Sequence, residues 1–189
     1  MQRLDDALNV LGPIYPTDYF VWELRALINR AAGEEDSAHV AYLEALKFDT
    51  TRTEPYSYLV TWFGRANDVD STLWGFRNLA RLAPDNYAIW FEIARLQLRR
   101  GEIDAAKESF RTSAELRSDA VNVMALVGLG EIHEAQGALD SALLVFQQGL
   151  RSDPGNIAIH RNLAGLYVKL DSLEEAAAHA RIESELAPL

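Results

Sequence analysis

The sequence of 189 residues contains no cysteine. This absence excludes disulfide bonds, thiolate nucleophiles and cysteine-held zinc or iron-sulfur sites. It is compatible with a cytoplasmic and equally with a bacterial periplasmic protein, so the localisation stays unknown. Long apolar runs are also missing: no stretch approaches the roughly 18 to 20 apolar residues that span a bilayer, and the N-terminus lacks the basic-then-apolar pattern of a secretory signal. Direct membrane insertion is therefore not expected.

Positive charge is scarce as well. Lys and Arg total 18 against 28 Asp and Glu, which gives a formal net charge of -10. A field of this sign repels a phosphate backbone at long range, so nucleic acid is disfavoured as a partner. The frequent Ala, Leu, Glu and Arg residues favour helix over strand. The leading fold class is therefore all-α.

Motifs for catalysis and for metal binding are absent from the sequence. His133 and Glu134 begin a pattern like that of zinc peptidases, but Gly137 stands where the second histidine is required. No phosphate-binding glycine loop, nucleophile elbow or calcium loop is found. We therefore predict no catalytic residue, no metal site and no cofactor, and a protein that is not an enzyme.

The sequence does contain an internal repeat, because five columns of residues recur at intervals of 34, 34, 36 and 34 positions. The first two columns are Trp22, Tyr56, Trp90, Leu126 and His160, and Ala26, Val60, Ala94, Gly130 and Ala164. The third column is Gly33, Asn67, Gly101, Gly137 and Asp171. The last two are Ala38, Thr72, Ala106, Ala142 and Ala176, and Tyr42, Phe76, Phe110, Phe146 and Ala180. One supersecondary unit is therefore copied along the chain.

The third copy shows what this unit is. Asp85 and Asn86 supply capping side chains, apolar residues then follow helical spacing, and Gly101 stands where a left-handed helix terminus is expected. A second helix begins near Ile103 and ends before a turn at 117–119. The unit is predicted to be a helical hairpin, and such a hairpin must stack on copies of itself to bury its apolar face.

These residues resemble a tetratricopeptide repeat array, above all Trp90, Ala94, Gly101, Ala106 and Phe110 with their counterparts Gly137, Ala142 and Phe146. The resemblance implies a right-handed α-solenoid of stacked antiparallel helix pairs. The predicted copies are residues 19–52 (a divergent first copy), 53–86, 87–122, 123–156 and 157–189. Residues 1–18 are predicted to form the second helix of a truncated preceding copy. The longer step in the array predicts two extra residues between Ser118 and Leu126, in a longer turn or an extra half-turn of helix.

The resemblance also implies that the first helix of each copy lines a concave binding groove. The predicted partner-binding residues are Phe20, Glu23, Arg30, Tyr58, Thr61, Arg65, Phe91, Arg95, Arg99, Glu131, Arg161 and Asn162. Inner positions of the third and fourth copies also include Leu98, Gly128 and Ala135. Aromatic anchors beside arginines are typical of energetic centres in protein interfaces, so the centre of the site is expected in the first three copies.

The predicted function is that of a non-catalytic scaffold whose groove binds a protein or peptide segment. Two alternatives stay open. Because the chain is expected to start in mid-repeat, it can be the recruiting or regulatory segment of a larger multidomain enzyme or of a bacterial envelope or polysaccharide secretion assembly. Alternatively, open repeat ends can stack on one another, which would make the chain a homo-oligomeric assembly module.

Overall fold

The computed structural model describes residues 18–117 and 123–187, together with Asp6 and Val10. In residues 18–117 and 123–187 the chain forms ten α-helices and no strand. The helices are α1 (Tyr19–Ala32), α2 (Glu35–Ala45), α3 (Thr53–Arg65), α4 (Val69–Leu82), α5 (Tyr87–Arg99), α6 (Ile103–Leu116), α7 (Val123–Ala135), α8 (Leu139–Ser152), α9 (Ile157–Lys169) and α10 (Leu173–Leu186).

Consecutive helices pack as antiparallel pairs: α1 with α2, α3 with α4, α5 with α6, α7 with α8 and α9 with α10. The second helix of one pair also contacts the first helix of the next in three places, namely α2 with α3, α6 with α7 and α8 with α9. The chain divides into two compact units, residues 1–84 with α1 to α4 (unit 1) and residues 85–189 with α5 to α10 (unit 2). The prediction of an all-α array of stacked antiparallel helix pairs is confirmed.

The third sequence column proves to be a backbone feature. All five of its residues have a left-handed backbone conformation, with φ of 79° at Gly33, 57° at Asn67, 75° at Gly101, 75° at Gly137 and 58° at Asp171. In the third copy the Gly101 amide donates to the Leu98 carbonyl at 2.9 Å, and the Glu102 amide donates to the Gln97 carbonyl at 2.9 Å. These bonds satisfy carbonyls that the end of α5 would otherwise leave open. The column therefore marks the end of every first helix.

Side-chain caps fix the start of several helices. Asp18, Asn86 and Asn156 accept hydrogen bonds from backbone amides in the first turns of α1, α5 and α9. Asp68 caps α4 by accepting from the Ser71 amide at 3.1 Å, and this bonding lowers the pKa of its carboxyl. The predicted capping role of Asn86 is confirmed. Local sequence thus decides where these helices begin.

Small residues in α7 allow two aromatic rings to pack closely on that helix. A Cβ atom placed on Gly128 would lie 2.6 Å from the ring of Phe110, and a Cβ atom on Gly130 would collide with the ring of Phe146. Phe110 and Phe146 are both buried. Their enclosure requires glycine at these two positions of α7, although glycine weakens a helix interior by about 1 kcal/mol relative to alanine.

Two predictions fall outside the described residues. The preceding helix over residues 1–18 lies, apart from Asp6, Val10 and Asp18, where the structure gives no description. The two extra residues between Ser118 and Leu126 fall largely on residues 118–122, which lie outside the described part. The repeat boundaries stay predictions.

Candidate partner-binding site

First helices of neighbouring copies are linked by polar side-chain contacts within each unit. In unit 1, Arg30 on α1 pairs with Glu54 on α3 at 3.1 Å. In unit 2, Asn162 on α9 donates to Glu131 on α7 at 3.1 Å, and Lys169 on α9 pairs with Glu134 on α7 at 2.7 Å. We call the surface that carries these contacts the first-helix face of each unit. All twelve predicted residues lie on first helices: Phe20, Glu23 and Arg30 on α1, Tyr58, Thr61 and Arg65 on α3, Phe91, Arg95 and Arg99 on α5, Glu131 on α7, and Arg161 and Asn162 on α9.

Phe20 is an exposed aromatic side chain at the start of α1. Its ring is 60% exposed, stands edge-on to Tyr19 at 5.5 Å, and lies 5.4 Å from the Arg52 guanidinium. Glu23, one turn further along α1, accepts a hydrogen bond from the Tyr19 hydroxyl at 2.9 Å. Burial, followed by this bond, raises the pKa of Tyr19. The exposed ring of Phe20 therefore lies next to the Arg52 guanidinium and packs against Tyr19, whose hydroxyl is bound to Glu23.

Tyr58 and Arg65 on α3 both contact the start of α2. The Tyr58 hydroxyl donates to the Glu35 carbonyl at 3.1 Å, and its ring lies 4.7 Å from that of Tyr42. Arg65 donates to both carboxylate oxygens of Glu35, at 3.0 and 2.9 Å. Burial, with the Glu35 charge next, raises the pKa of Tyr58. Tyr58 is therefore fixed by internal contacts, whereas the Arg65 side chain stays 65% exposed.

Arg30 and Thr61 are the remaining predicted residues of unit 1. Besides pairing with Glu54, Arg30 lies 3.5 Å from the Tyr42 hydroxyl, while the Thr61 hydroxyl donates to the Ser57 carbonyl at 3.2 Å. Their polar atoms are already used within the unit. A partner that binds here must exchange these contacts for its own.

Phe91 and Arg95 form the corresponding arrangement in unit 2. The half-buried Phe91 ring packs against Phe110 at 5.6 Å, and the Arg95 guanidinium lies 5.9 Å over the Phe91 ring. Arg95 also pairs with Glu92 at 3.1 Å. Arg99 is exposed at the end of the same helix. An aromatic ring with an arginine over it therefore occurs on α5 as it does at Phe20.

The predicted residues of α9 are bound to two different helices. Asn162 contacts Glu131 on α7, as described above, whereas Arg161 pairs with Glu183 on α10 at 2.7 Å. Arg161 keeps 67% of its side chain exposed. These two residues therefore connect α9 to α7 and to α10, and both are partly exposed to solvent.

A cleft of about 420 Å³ lies in unit 2 between α5, the start of α6 and α7. Its lining residues are Leu98, Ile103, Asp104, Gly128, Glu131, Ile132, Ala135 and Gln136. Leu98, Gly128 and Ala135 belong to the predicted inner positions, and Glu131 to the predicted site. Ile103, Asp104 and Ile132 were not predicted, because the repeat pattern assigns the inner surface to one side of the first helices alone.

Comparison with known families identifies the repeat. Residues 91–157 match the tetratricopeptide repeat family. This stretch contains tetratricopeptide repeats. The matched stretch covers α6, α7 and α8 and most of α5, which includes Phe91, Arg95, Arg99, Glu131 and the cleft.

Solved structures with the same fold extend over most of the chain. YrrB, a tetratricopeptide repeat protein with an unusual peptide-binding site, superimposes with a TM-score of 0.74 at 18% identity, over 96% of this chain and 93% of its own. The MamA protein gives a TM-score of 0.73 at 18% identity, over 89% and 91%. PilF of Pseudomonas aeruginosa gives 0.67 at 13%, over 90% and 77%. At these identities the likeness establishes the fold, an α-solenoid of helix pairs. No curated protein matches the chain in sequence.

Two histidines meet between α9 and α10, His160 on α9 and His179 on α10. His160 Nε2 lies 2.9 Å from the Pro154 carbonyl, which can only accept, so this nitrogen carries a proton. His160 Nδ1 lies 2.8 Å from His179 Nδ1, which then donates. Burial, and next the neighbouring His160, lower the pKa of His179. The hydrogen bonds of these two rings are therefore made within the protein, and a structural role accounts for both histidines without a ligand.

Within the described residues, no group of three or more His, Asp and Glu residues could hold a metal ion. None of the helices in 18–117 and 123–187 is long and apolar enough to cross a membrane.

Proposed function

We propose that the chain is a non-catalytic scaffold that binds a protein or peptide segment on its first-helix faces. The observation that carries the proposal is the pairing of an aromatic ring with an arginine, at the exposed Phe20 with Arg52 and at the half-buried Phe91 with Arg95. Aromatic and arginine side chains are enriched where alanine substitution costs an interface most. YrrB, which shares the fold, is described by its peptide-binding site.

The ion pairs on these faces can be replaced by ion pairs with a partner. Arg30, Arg65 and Arg95 pair with Glu54, Glu35 and Glu92 while each arginine keeps 49% or more of its side chain exposed. Exposed pairs of this kind contribute about 0 to 1 kcal/mol each. A partner carboxylate can therefore replace the internal one at small cost, and the guanidinium is already held in place.

The first experiment locates the binding surface. Peptides selected from a displayed random library against the purified chain are titrated into the ¹⁵N-labelled chain and followed by NMR. We expect shift changes concentrated on amides of α1, α3, α5, α7 and α9. Selected peptides whose shift changes fall on the second helices would contradict the proposal. Light scattering across a concentration series tests the homotypic alternative, which requires a mass above 21.1 kDa.

A matched pair of variants gives the energetic test. Arg95 on α5 pairs with Glu92 three residues earlier, and Arg111 on the second helix α6 pairs with Glu108 at the same spacing. Arg95→Ala should weaken binding of a selected peptide by roughly 1 to 3 kcal/mol, whereas Arg111→Ala should leave it unchanged. Equal effects of the two variants would place the site elsewhere. Helicity, measured by circular dichroism, should be the same in both.

A further inference from the structure

The cleft between α5, α6 and α7 has an apolar interior. Leu98, Ile132 and Ala135 contribute from the first helices, and Ile103, at the start of α6, is 38% exposed. Gly128 lines the same cleft without a side chain, and the Phe110 ring requires that it stay so. A volume of about 420 Å³ falls within the range of roughly 300 to 1,000 Å³ that ligand pockets occupy. The cleft can therefore accept a large apolar side chain.

The charged groups that line the cleft are both carboxylates. The Asp104 side chain is 91% exposed, with Lys107 at 3.8 Å. Glu131 is exposed and accepts the Asn162 amide through one of its two oxygens. No lysine or arginine is among the lining residues. Lys107 offsets part of the Asp104 charge, and the remaining negative potential at the rim favours a positively charged group over a carboxylate.

We infer that this cleft binds an apolar side chain of a partner peptide that carries a lysine or arginine next to it. This inference rests on the proposed function and names the chemistry of the partner at one position. In an extended peptide, neighbouring side chains point to opposite sides, so when the apolar group enters the cleft the flanking cations start on the solvent side. Their long, flexible side chains bend back to the carboxylates at the rim. Burial of the apolar group supplies the attraction, and the two carboxylates supply the preference for a basic neighbour.

The test uses three synthetic heptapeptides that differ only at their centre, which is Lys-Leu-Lys, Lys-Ala-Lys or Glu-Leu-Glu between Gly and Ser residues. Each is titrated into the ¹⁵N-labelled full chain. We expect the Lys-Leu-Lys peptide to shift the amides of Leu98, Gly128 and Ala135, the Lys-Ala-Lys peptide to bind at least tenfold more weakly, and the Glu-Leu-Glu peptide to leave these amides unchanged. Equal binding of the two leucine peptides, or no shift at these amides, would overturn the inference.

Substitutions of exposed residues in the protein test whether the Lys-Leu-Lys peptide binds in the cleft. Ala135→Leu places a side chain in the mouth of the cleft, and Ala105→Leu adds the same side chain at an exposed position of α6 that does not line it. Asp104→Lys reverses a rim charge, and Asp140→Lys reverses the charge at the equivalent position of α8, outside the cleft. We expect Ala135→Leu and Asp104→Lys to weaken Lys-Leu-Lys binding at least fivefold, with less than a twofold change in either control. Unchanged binding in Ala135→Leu would refute the inference.

Failure of this inference can be told apart from failure of the proposed function. If library-selected peptides bind the first-helix faces but ignore Ala135→Leu, the cleft is not their anchor while the scaffold function stands. If selected peptides bind the second helices while the Lys-Leu-Lys peptide still binds in the cleft, the inference about the cleft stands and the first-helix faces are not the general binding surface.

Discussion

The two units fill the same repeat pattern with different chemistry. In unit 1, aromatic rings contact one another between helices: His39 on α2 stacks on Trp62 of α3 at 3.8 Å, and Tyr42 lies 4.7 Å from Tyr58. Unit 2 also has a contact of this kind, between Phe91 and Phe110 at 5.6 Å, but there a phenylalanine packs in addition on a helix surface from which the side chain is missing, as at Phe146 over Gly130. Over a glycine the ring lies so close to the helix that one added methyl group would collide with it. One repeat spacing therefore admits both a ring-to-ring and a ring-to-backbone interface.

The fifth sequence column tests this difference most strongly. Phe146 is fully buried in unit 2, whereas Phe76, one of its two counterparts in unit 1, is half-buried. We expect Phe146→Ala to lower the free energy of unfolding by about 3 to 5 kcal/mol, because it empties an enclosed site. Phe76→Ala should cost clearly less. Urea unfolding followed by circular dichroism measures both, and equal losses would mean that the units do not differ in this way.

Glycine substitutions examine the other side of the same contact. Gly130→Ala brings a Cβ atom into the Phe146 ring, so we expect a loss of about 1 to 3 kcal/mol in the free energy of unfolding. Gly165 is a matched control in α9, because a Cβ atom there meets no other atom within 4 Å. Gly165→Ala should stabilise the chain by up to about 1 kcal/mol through helix propensity. A neutral or stabilising Gly130→Ala would show that the ring can move aside.

Acid should destabilise both units through their histidines. Burial is the main cause that lowers the pKa of His39 in unit 1, and of His133 and His179 in unit 2. An unfolded histidine titrates near 6.5, so below that pH the unfolded chain binds more protons than the folded chain. Their contribution to stability is fully present above about pH 6.5 and is lost as the pH falls through the lowered folded-state values.

Urea midpoints at about pH 7.5 and about pH 5 measure this dependence. We expect His179→Gln to make the stability of unit 2 depend less on pH, because in unit 2 both burial and the neighbouring His160 lower the pKa of His179. His39→Gln provides the comparison for unit 1, where burial lowers the pKa of His39 and the Asp36 charge opposes this shift. An unchanged pH dependence in His179→Gln would show that the histidine pair does not control it.

The smallest expected effect lies at the ends of the first helices. Asn67 in unit 1 and Asp171 in unit 2 have positive φ, which costs residues with a Cβ atom more than it costs glycine. Asn67→Gly and Asp171→Gly should each change the free energy of unfolding by no more than about 1 kcal/mol, with a stabilising sign. Thermal unfolding of the two variants checks it. A loss of stability in both would mean that their side chains make contacts worth more than the strain.

Much of the fold follows from residues that act on their nearest neighbours. Asn86 caps the amide of Ala88, and Gly101 adopts the turn that ends α5, so both positions are predictable from local sequence. The sequence did not predict the cleft itself. Leu98 and Gly128 follow from the repeat, but the contribution of Ile103 depends on how the start of α6 lies against α7, which no local pattern specifies.

By itself the sequence determined the class of structure: a chain that repeats a hairpin pattern, caps its helices and places small residues at fixed intervals must stack helix pairs to bury its apolar faces. Only the tertiary structure decided which side chains meet across that stack. Glu35 faces Arg65 across 30 residues, and His160 meets His179 across 19. Such contacts depend on the packing distance and rotation between helices, which the whole set of core side chains fixes together.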